Sequence, residues 1–263
     1  MNEVNKTMYI TLYGKSQVSK KGIILKDPTA EMIWEKEGFP LKGKSKSKWL
    51  TYYMGMRSAV FDNWTKKKMA ENPQAVVIHT GCGMDSRINR IGNNSNMWYD
   101  VDFPDVIEER HKYYKETNTY KMLKSDVTQL EWLNNIPNNQ TAIIIMEGMS
   151  MYISHTQFTS ILKSFAEHFN QVYLLVDCYT EFSAKASKYK NPINDVGVTA
   201  VTGYDNMCQL AEETGFKTVQ EHSMTPQSMV NQLKGFEKFF FKTVFCGIAS
   251  EKMYKLYEFE YKK

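Results

Sequence analysis

Gly81 and Gly83 stand one residue apart directly after the β-branched run Ala75 to His79, and acids follow the later apolar runs in turn. Asp102 follows Met97 to Val101, Asp126 follows Tyr120 to Leu123, Glu147 follows Thr141 to Met146, and Asp177 follows Val172 to Val176. Glycines at this spacing let backbone come close to a ligand. In an open α/β sheet, ligands bind just beyond the carboxyl ends of the strands. One solvated acid at a strand end means little, but four in series around one crevice suit capture of a nucleoside-type cofactor.

Two cofactor classes use a glycine loop after the first strand. A dinucleotide needs a third glycine so that a helix can bring its N-terminus to the pyrophosphate. Here that position is Ser86, and Asp85 beside it would repel phosphate, which disfavours a nicotinamide oxidoreductase. S-adenosylmethionine carries no phosphate. It needs room for a sulfonium, which Gly81 and Gly83 can give, an acid for the ribose hydroxyls, which Asp102 can be, and a partner for the adenine amino group, which Asp126 can be.

The elements that must position these residues are legible from residue 75 onward, where apolar strand-like runs alternate with amphipathic stretches such as Asp105 to Thr117 and Thr156 to Phe169. Ser154 is the expected N-cap of the second of these. Such alternation implies βαβ units and a parallel sheet covered on both faces. Residues 1–70 read as a helix-and-loop cover, 75–177 as the cofactor-binding core, 178–208 as a polar and aromatic lid containing Tyr179, Phe182, Tyr189, Pro192 and Gly197, and 209–263 as the end of the sheet. In that last part Phe216 to His222 and Tyr254 to Tyr261 are expected strands, with a helix from Pro226. Nothing separates two domains, so 1–263 reads as one.

Composition bounds the function. The 263 residues are 42% hydrophobic and 24% charged, enough for a full core, and the net charge of +4 is far below that of a dedicated nucleic-acid binder. Lys42 to Lys48 alternates lysine with small residues and reads as a solvated loop. The four cysteines, Cys82, Cys178, Cys208 and Cys246, are scattered and form no CxxC pair, so neither disulfides nor a metal site is expected. The first residues lack the apolar core of a signal peptide, and no apolar run nears the roughly 20 residues that span a bilayer. The expectation is a cytoplasmic protein with no membrane partner.

The ordered motifs resemble those of the leucine carboxyl methyltransferase-like group of class I methyltransferases, in particular the branch of tetracenomycin-type polyketide O-methyltransferases. The match runs through Thr11-Leu12-Tyr13-Gly14-Lys15, Lys26-Asp27-Pro28-Thr29-Ala30, Arg57 with Asp62, and Gly81-Cys82-Gly83-Met84-Asp85-Ser86-Arg87. It continues through Trp98 to Ile107, Ser125-Asp126-Val127 with Trp132, and Glu147 to Ile153. The resemblance implies a Rossmann-like α/β fold with a mostly parallel seven-stranded sheet, S-adenosylmethionine as cofactor and S-adenosylhomocysteine (SAH) as product. It implies that Arg57 pairs with the cofactor carboxylate, that Gly81 and Gly83 line the methionine portion, and that Asp102 binds ribose with Phe103 against adenine. It also implies that Asp126 and Val127 contact adenine and that Glu147 meets the amino-acid end. One position departs from the family: arginine often stands where this chain has Lys15, and lysine cannot reproduce a bidentate fork.

Several residues have plainer readings. Asp85 and Arg87 are expected to pair or cap the next helix, Cys82, Met149 and Met151 to pack, His79 to be a core histidine, and His155 and His168 to lie on a helix surface. Tyr152 and His222 remain the candidate catalytic groups. The implied reaction is methyl transfer to a carboxylate or phenolic oxygen of a small molecule. The alternatives are a protein C-terminal leucine carboxyl methyltransferase and a non-catalytic S-adenosylmethionine-binding module. No nucleic-acid partner is expected, and the sequence leaves the oligomeric state open.

Overall fold

A computed structural model describes residues 3–41, 43–188, 191–247 and 252–263. The chain opens with helices α1 (Glu3–Lys6), α2 (Met8–Lys20), α3 (Pro28–Glu37) and the long α4 (Lys48–Glu71), with a 3-10 turn at Gly43–Lys46 before α4. Strands and helices then alternate: β1 (Val76–Thr80), α5 (Arg87–Ile91), β2 (Trp98–Asp102), α6 (Pro104–Arg110), β3 (Tyr120–Lys124), β4 (Thr141–Met146), α7 (His155–His168) and β5 (Gln171–Tyr179). After β5 come α8 (Glu181–Ala186), a 3-10 turn at Pro192–Val196, α9 (Met207–Glu212), β6 (Lys217–Glu221), α10 (Gln227–Val230), α11 (Gly235–Phe245) and β7 (Tyr254–Lys262).

The strands form one seven-stranded sheet in the order β3-β2-β1-β4-β5-β7-β6, and β7 runs antiparallel to both of its neighbours. The first five strands pair in parallel. Strand order reverses between β1 and β4, and in such sheets the ligand crevice lies at that switch point, beyond the strands' carboxyl ends. Gly81 and Glu147 are the first residues past those two ends.

Side chains alternate across the sheet. Val77, Ile143, Ile145 and Leu175 pack into a core shared with α2, α4, α6 and α11. Val76, Ile78, Ile144 and Val176 pack into a second core on the opposite face, against α7 and α9. Because both faces are covered, β1 is buried along its whole length. A smaller cluster of Ile10, Leu41, Ile193 and Val198 ties α2 to the segment after β5.

Strand positions follow the sequence reading to within a residue or two, and three details differ. Helix α6 stops at Arg110 instead of running to Thr117, because the chain turns there to carry Tyr114 under the glycine loop, where its hydroxyl donates to the Met84 carbonyl at 3.1 Å. Strand β5 runs on to Tyr179, since pairing with β7 supports residues beyond Val176. The helix expected from Pro226 breaks into α10 and α11, and Gly235 opens the second with φ of +51°. Ser154 caps α7 as expected: its Oγ accepts from the Gln157 amide at 3.2 Å, and Gln157 Oε1 accepts from the Ser154 amide at 2.9 Å. Lys42 and Tyr189 lie outside the described residues.

Candidate active site

The loop after β1 is shaped from three directions. Gly81 and Gly83 have φ of +61° and +50°, a region open to glycine and strained for other residues. A Cβ on Gly81 would meet Met149 at 3.1 Å. From α6, Arg110 Nη1 donates to the carbonyls of Gly83 and Asp85 at 3.0 and 2.7 Å, while its Nε and Nη2 donate to Asp100 within β2. Burial raises the Asp100 carboxyl, but Arg110, His79 and Tyr120 together outweigh it and hold the group down at about 2. This buried pair staples the loop to the strand beside it.

Asp102, at the end of β2, accepts from the Gly83 amide at 2.7 Å with Oδ2 and from the Phe103 amide at 2.8 Å with Oδ1. Burial nevertheless pushes its carboxyl up to about 6. Each oxygen can accept further bonds, so the group is poised to gain from hydroxyl donors placed beside it.

Beyond β4 the site is a lattice of buried charges. Arg57, from the middle of α4, donates Nε to Glu147 Oε1 at 3.0 Å and Nη1 to the Tyr254 hydroxyl at 3.1 Å, with Asp177 Oδ2 at 3.3 Å. Gly148, at φ of +70°, leaves the space that this guanidinium crosses, since a Cβ there would strike it at 3.1 Å. Arg87 donates to the other Glu147 oxygen and to Asp62 Oδ1 at 2.7 Å. Arg90 joins Asp62 to the α3 N-cap Asp27 with bonds of 2.7 Å to each. Asp85 takes Lys15 Nζ at 2.7 Å, Arg90 Nη1 at 2.9 Å and the Arg87 amide at 2.7 Å. Burial opposes ionisation of Glu147, yet Arg87 and Arg57 hold its carboxyl down at about 2. Buried charges of this kind persist only when paired and hydrogen-bonded.

Of these groups Lys15, Arg57, Asp85, Asp102, Glu147 and Gly148 line a cavity of about 840 Å³, large within the roughly 300–1,000 Å³ of small-molecule sites. Its lining includes the glycine loop, Asp102, Phe103, Asp126, Val127, Glu147 and Arg57. It also includes six aromatic residues: Trp49, Tyr53, Tyr152, Tyr179, Phe245 and Tyr254. Ring contacts join Tyr254 to Tyr179 at 4.8 Å and to Tyr53 at 6.3 Å. Ser183, Ser187 and Ile193 of the lid and Thr7, Met8 and Ile10 of the N-terminal cover also line it.

The structure therefore brings Arg57, Gly81, Gly83, Asp102, Phe103, Asp126, Val127, Glu147 and Tyr152 to one cavity. Asp177 and His222 are not among its lining residues. Asp177 lies inside the extended β5, fully buried, where it accepts from Tyr254 at 2.8 Å and the Gly148 amide at 2.7 Å. His222 Nε2 lies 2.7 Å from Glu258, which also pairs with Lys68 of α4. Arg57 and Glu147, expected at opposite ends of an amino acid, are bonded to each other. Lys15, Asp85 and His79 also reach the cavity. His79 Nε2 accepts from Arg87 Nη1 at 3.1 Å, and burial lowers its pKa, so it is a neutral brace between Arg87 and the sheet. His155 and His168 bond to the carbonyls of Gly203 and Ile136.

Strand order, the glycine loop at the switch point and the acid ending β2 define a class I methyltransferase. The chain belongs to the leucine carboxyl methyltransferase family, whose model matches residues 13–166. It is 26% identical over 238 residues to the tetracenomycin polyketide synthesis O-methyltransferase TcmP of Streptomyces glaucescens, covering 89% of this chain and 88% of that one. Among solved structures, a protein of Thermobifida fusca YX superposes with a TM-score of 0.57 at 11% identity, covering 95% of this chain and 94% of the other. Magnesium protoporphyrin IX methyltransferase of Synechocystis PCC 6803 with bound SAH superposes with a TM-score of 0.51 at 10% identity, covering 88% and 93%. The last two share the fold. The protein is an S-adenosylmethionine-dependent methyltransferase, and the residues present fit that cofactor: the cavity beside the glycine loop carries the buried acid Asp102, which can accept from hydroxyl donors.

Proposed function

We propose that the protein methylates a carboxylate or acidic phenolic oxygen of a small, largely apolar molecule. One observation carries this reading: a single cavity joins the charged cofactor rim to a group of aromatic side chains, and the histidine among its described lining residues, His79, is held by Arg87. Burial raises the hydroxyl pKa of Tyr53, Tyr152 and Tyr254, so these groups stay protonated and donate hydrogen bonds instead of accepting protons. A carboxylate is already ionised near neutrality and needs no base.

When bound, the cofactor supplies a methyl group on an electrophilic sulfonium, so alignment of the attacking oxygen does most of the work. Asp102 would accept from the ribose hydroxyls, Asp126 from the adenine amino group, and Phe103 and Val127 would flank the ring. Arg57 would take the amino-acid carboxylate and Glu147 the ammonium, the mutual pairing of the two keeping both ionised in advance. Lys15 would support that end through Asp85. The aromatic chamber would exclude water and hold the acceptor, with Tyr152 donating to its oxygen.

Incubation with methyl-labelled S-adenosylmethionine and panels of small aromatic acids, phenols and peptides ending in leucine tests this. Label in an alkali-labile methyl ester of a small acid, or in the ether of an acidic phenol, is the expected result. Label confined to the peptides would move the function to a protein C-terminus. Cofactor binding without turnover in any panel would leave only a binding module.

A further inference from the structure

Helix α11 presents an apolar face to solvent. Phe236, Phe239, Phe240, Thr243 and Val244 follow the i, i+3, i+4, i+7, i+8 spacing of one helix side. In a water-facing helix that side is usually polar. Here Phe236 is 70% exposed, Phe239 69% and Val244 46%, while Phe241, on the other side, is fully buried. The face also continues toward the cavity. Phe236 contacts Phe240 at 5.9 Å and Phe240 contacts Trp49 at 4.4 Å. Trp49 and Phe245, at the end of the same helix, both line the cavity, as does Met253, itself 44% exposed.

The charges around this face are predominantly basic. Lys234 precedes the helix, Lys238 and Lys242 follow one another at four-residue spacing within it, and Lys48 lies 3.1 Å from Glu237, the acid within α11. Exposed aromatics bordered by lysines are the composition of a helix that lies in a membrane interface, with its rings among acyl chains and its ammonium groups on anionic headgroups. No described helix is long and apolar enough to cross a bilayer, so attachment would be peripheral.

We infer that the α11 face docks this enzyme on an anionic lipid surface beside the mouth of its cavity. The inference stands apart from the choice of acceptor and departs from the sequence reading, which expected no membrane partner. An apolar acceptor dissolved in the bilayer would then reach the chamber past Trp49 and Phe245 without crossing water.

Co-sedimentation of the full chain with vesicles tests it, using phosphatidylcholine alone and phosphatidylcholine mixed with phosphatidylglycerol. Binding is expected on the anionic vesicles, weakened by added salt, and reduced about tenfold or more in Phe236→Ser/Phe239→Ser. Lys238→Glu/Lys242→Glu should lose the anionic preference. Calorimetry with SAH should match wild type in both variants, showing that the fold is intact. Absence of binding to either vesicle would overturn the inference, as would equal binding to both. A concentration-dependent dimer in sedimentation velocity, dissolved by the phenylalanine variant, would assign the face to a second copy of the chain instead.

Discussion

Beside and behind the charged wall of the cavity, Arg57, Arg87, Arg90 and Lys15 interleave with Asp27, Asp62, Asp85 and Glu147, and each group holds more than one partner or is held by one that does. In the same cavity, the proposed acceptor chamber contains rings whose centroids lie 4.8 to 6.3 Å apart, with Ser183 and Ser187 also among the lining residues. The difference is one of tolerance. Removing one member of a buried ionic lattice strands the charge of its partner, whereas a ring exchanged for a similar ring changes shape and little else. On the proposed reading, the charged lattice serves one invariant ligand and the aromatic residues are free to vary with the acceptor.

The largest expected effect is at the rim. Glu147→Ala leaves Arg57 and Arg87 without their shared carboxylate and should cost about 3–5 kcal/mol of folding stability, read by denaturant unfolding. An unfolding midpoint unchanged from wild type would show that the lattice is not structural. Asp102→Ala should fold and yet bind SAH about 100-fold more weakly, the loss of two hydrogen bonds to a charged acceptor, measured by calorimetry.

Gly81→Ala is expected to cost about 1–2 kcal/mol, because its φ of +61° is strained for alanine and its Cβ presses on Met149. Its cofactor affinity should fall with it. The smallest effect belongs to the chamber. Tyr152→Phe should leave stability within about 0.5 kcal/mol of wild type and the KM for S-adenosylmethionine nearly unchanged. It should lower kcat/KM for the acceptor by about tenfold, the loss of one hydrogen bond. A Tyr152→Phe enzyme damaged equally toward both ligands would erase the distinction between the regions.

Much of the rim could be read locally. The two glycines and the acids Asp102, Asp126 and Glu147 each lie at or within three residues of the end of a strand, and strand geometry alone puts them on one edge. The lattice behind them could not be read that way. Arg87 meets Asp62 and Glu147 across 25 and 60 residues, and Arg90 meets Asp27 across 63, so no spacing announces these pairs. Asp177 misled because its position depends on how far β7, some 77 residues later, extends β5. His222 was attractive as a histidine near the end of a strand, but β6 is an edge strand on the far side of β7, away from the switch point. The aromatic part of the cavity was the least legible region, because its residues come from α4, the turn after β4, β5, α11 and β7, which only the folded chain brings together.

The most direct test of the account is the pH dependence of cofactor affinity. Asp102 in the free enzyme has its carboxyl raised to about 6, and ribose hydroxyls donate to its ionised form, so binding lowers that pKa. Affinity should be full above this value and fall as pH drops through it, by about tenfold per unit while the free carboxyl is protonated and the bound one is not. Calorimetric titration of wild type and Asp102→Asn with SAH between about pH 5 and 8 reads this directly. The account predicts a wild-type affinity that weakens on the acid side and a variant that is weaker throughout and flat with pH. A variant that binds as tightly as wild type, with the same pH profile, would contradict it.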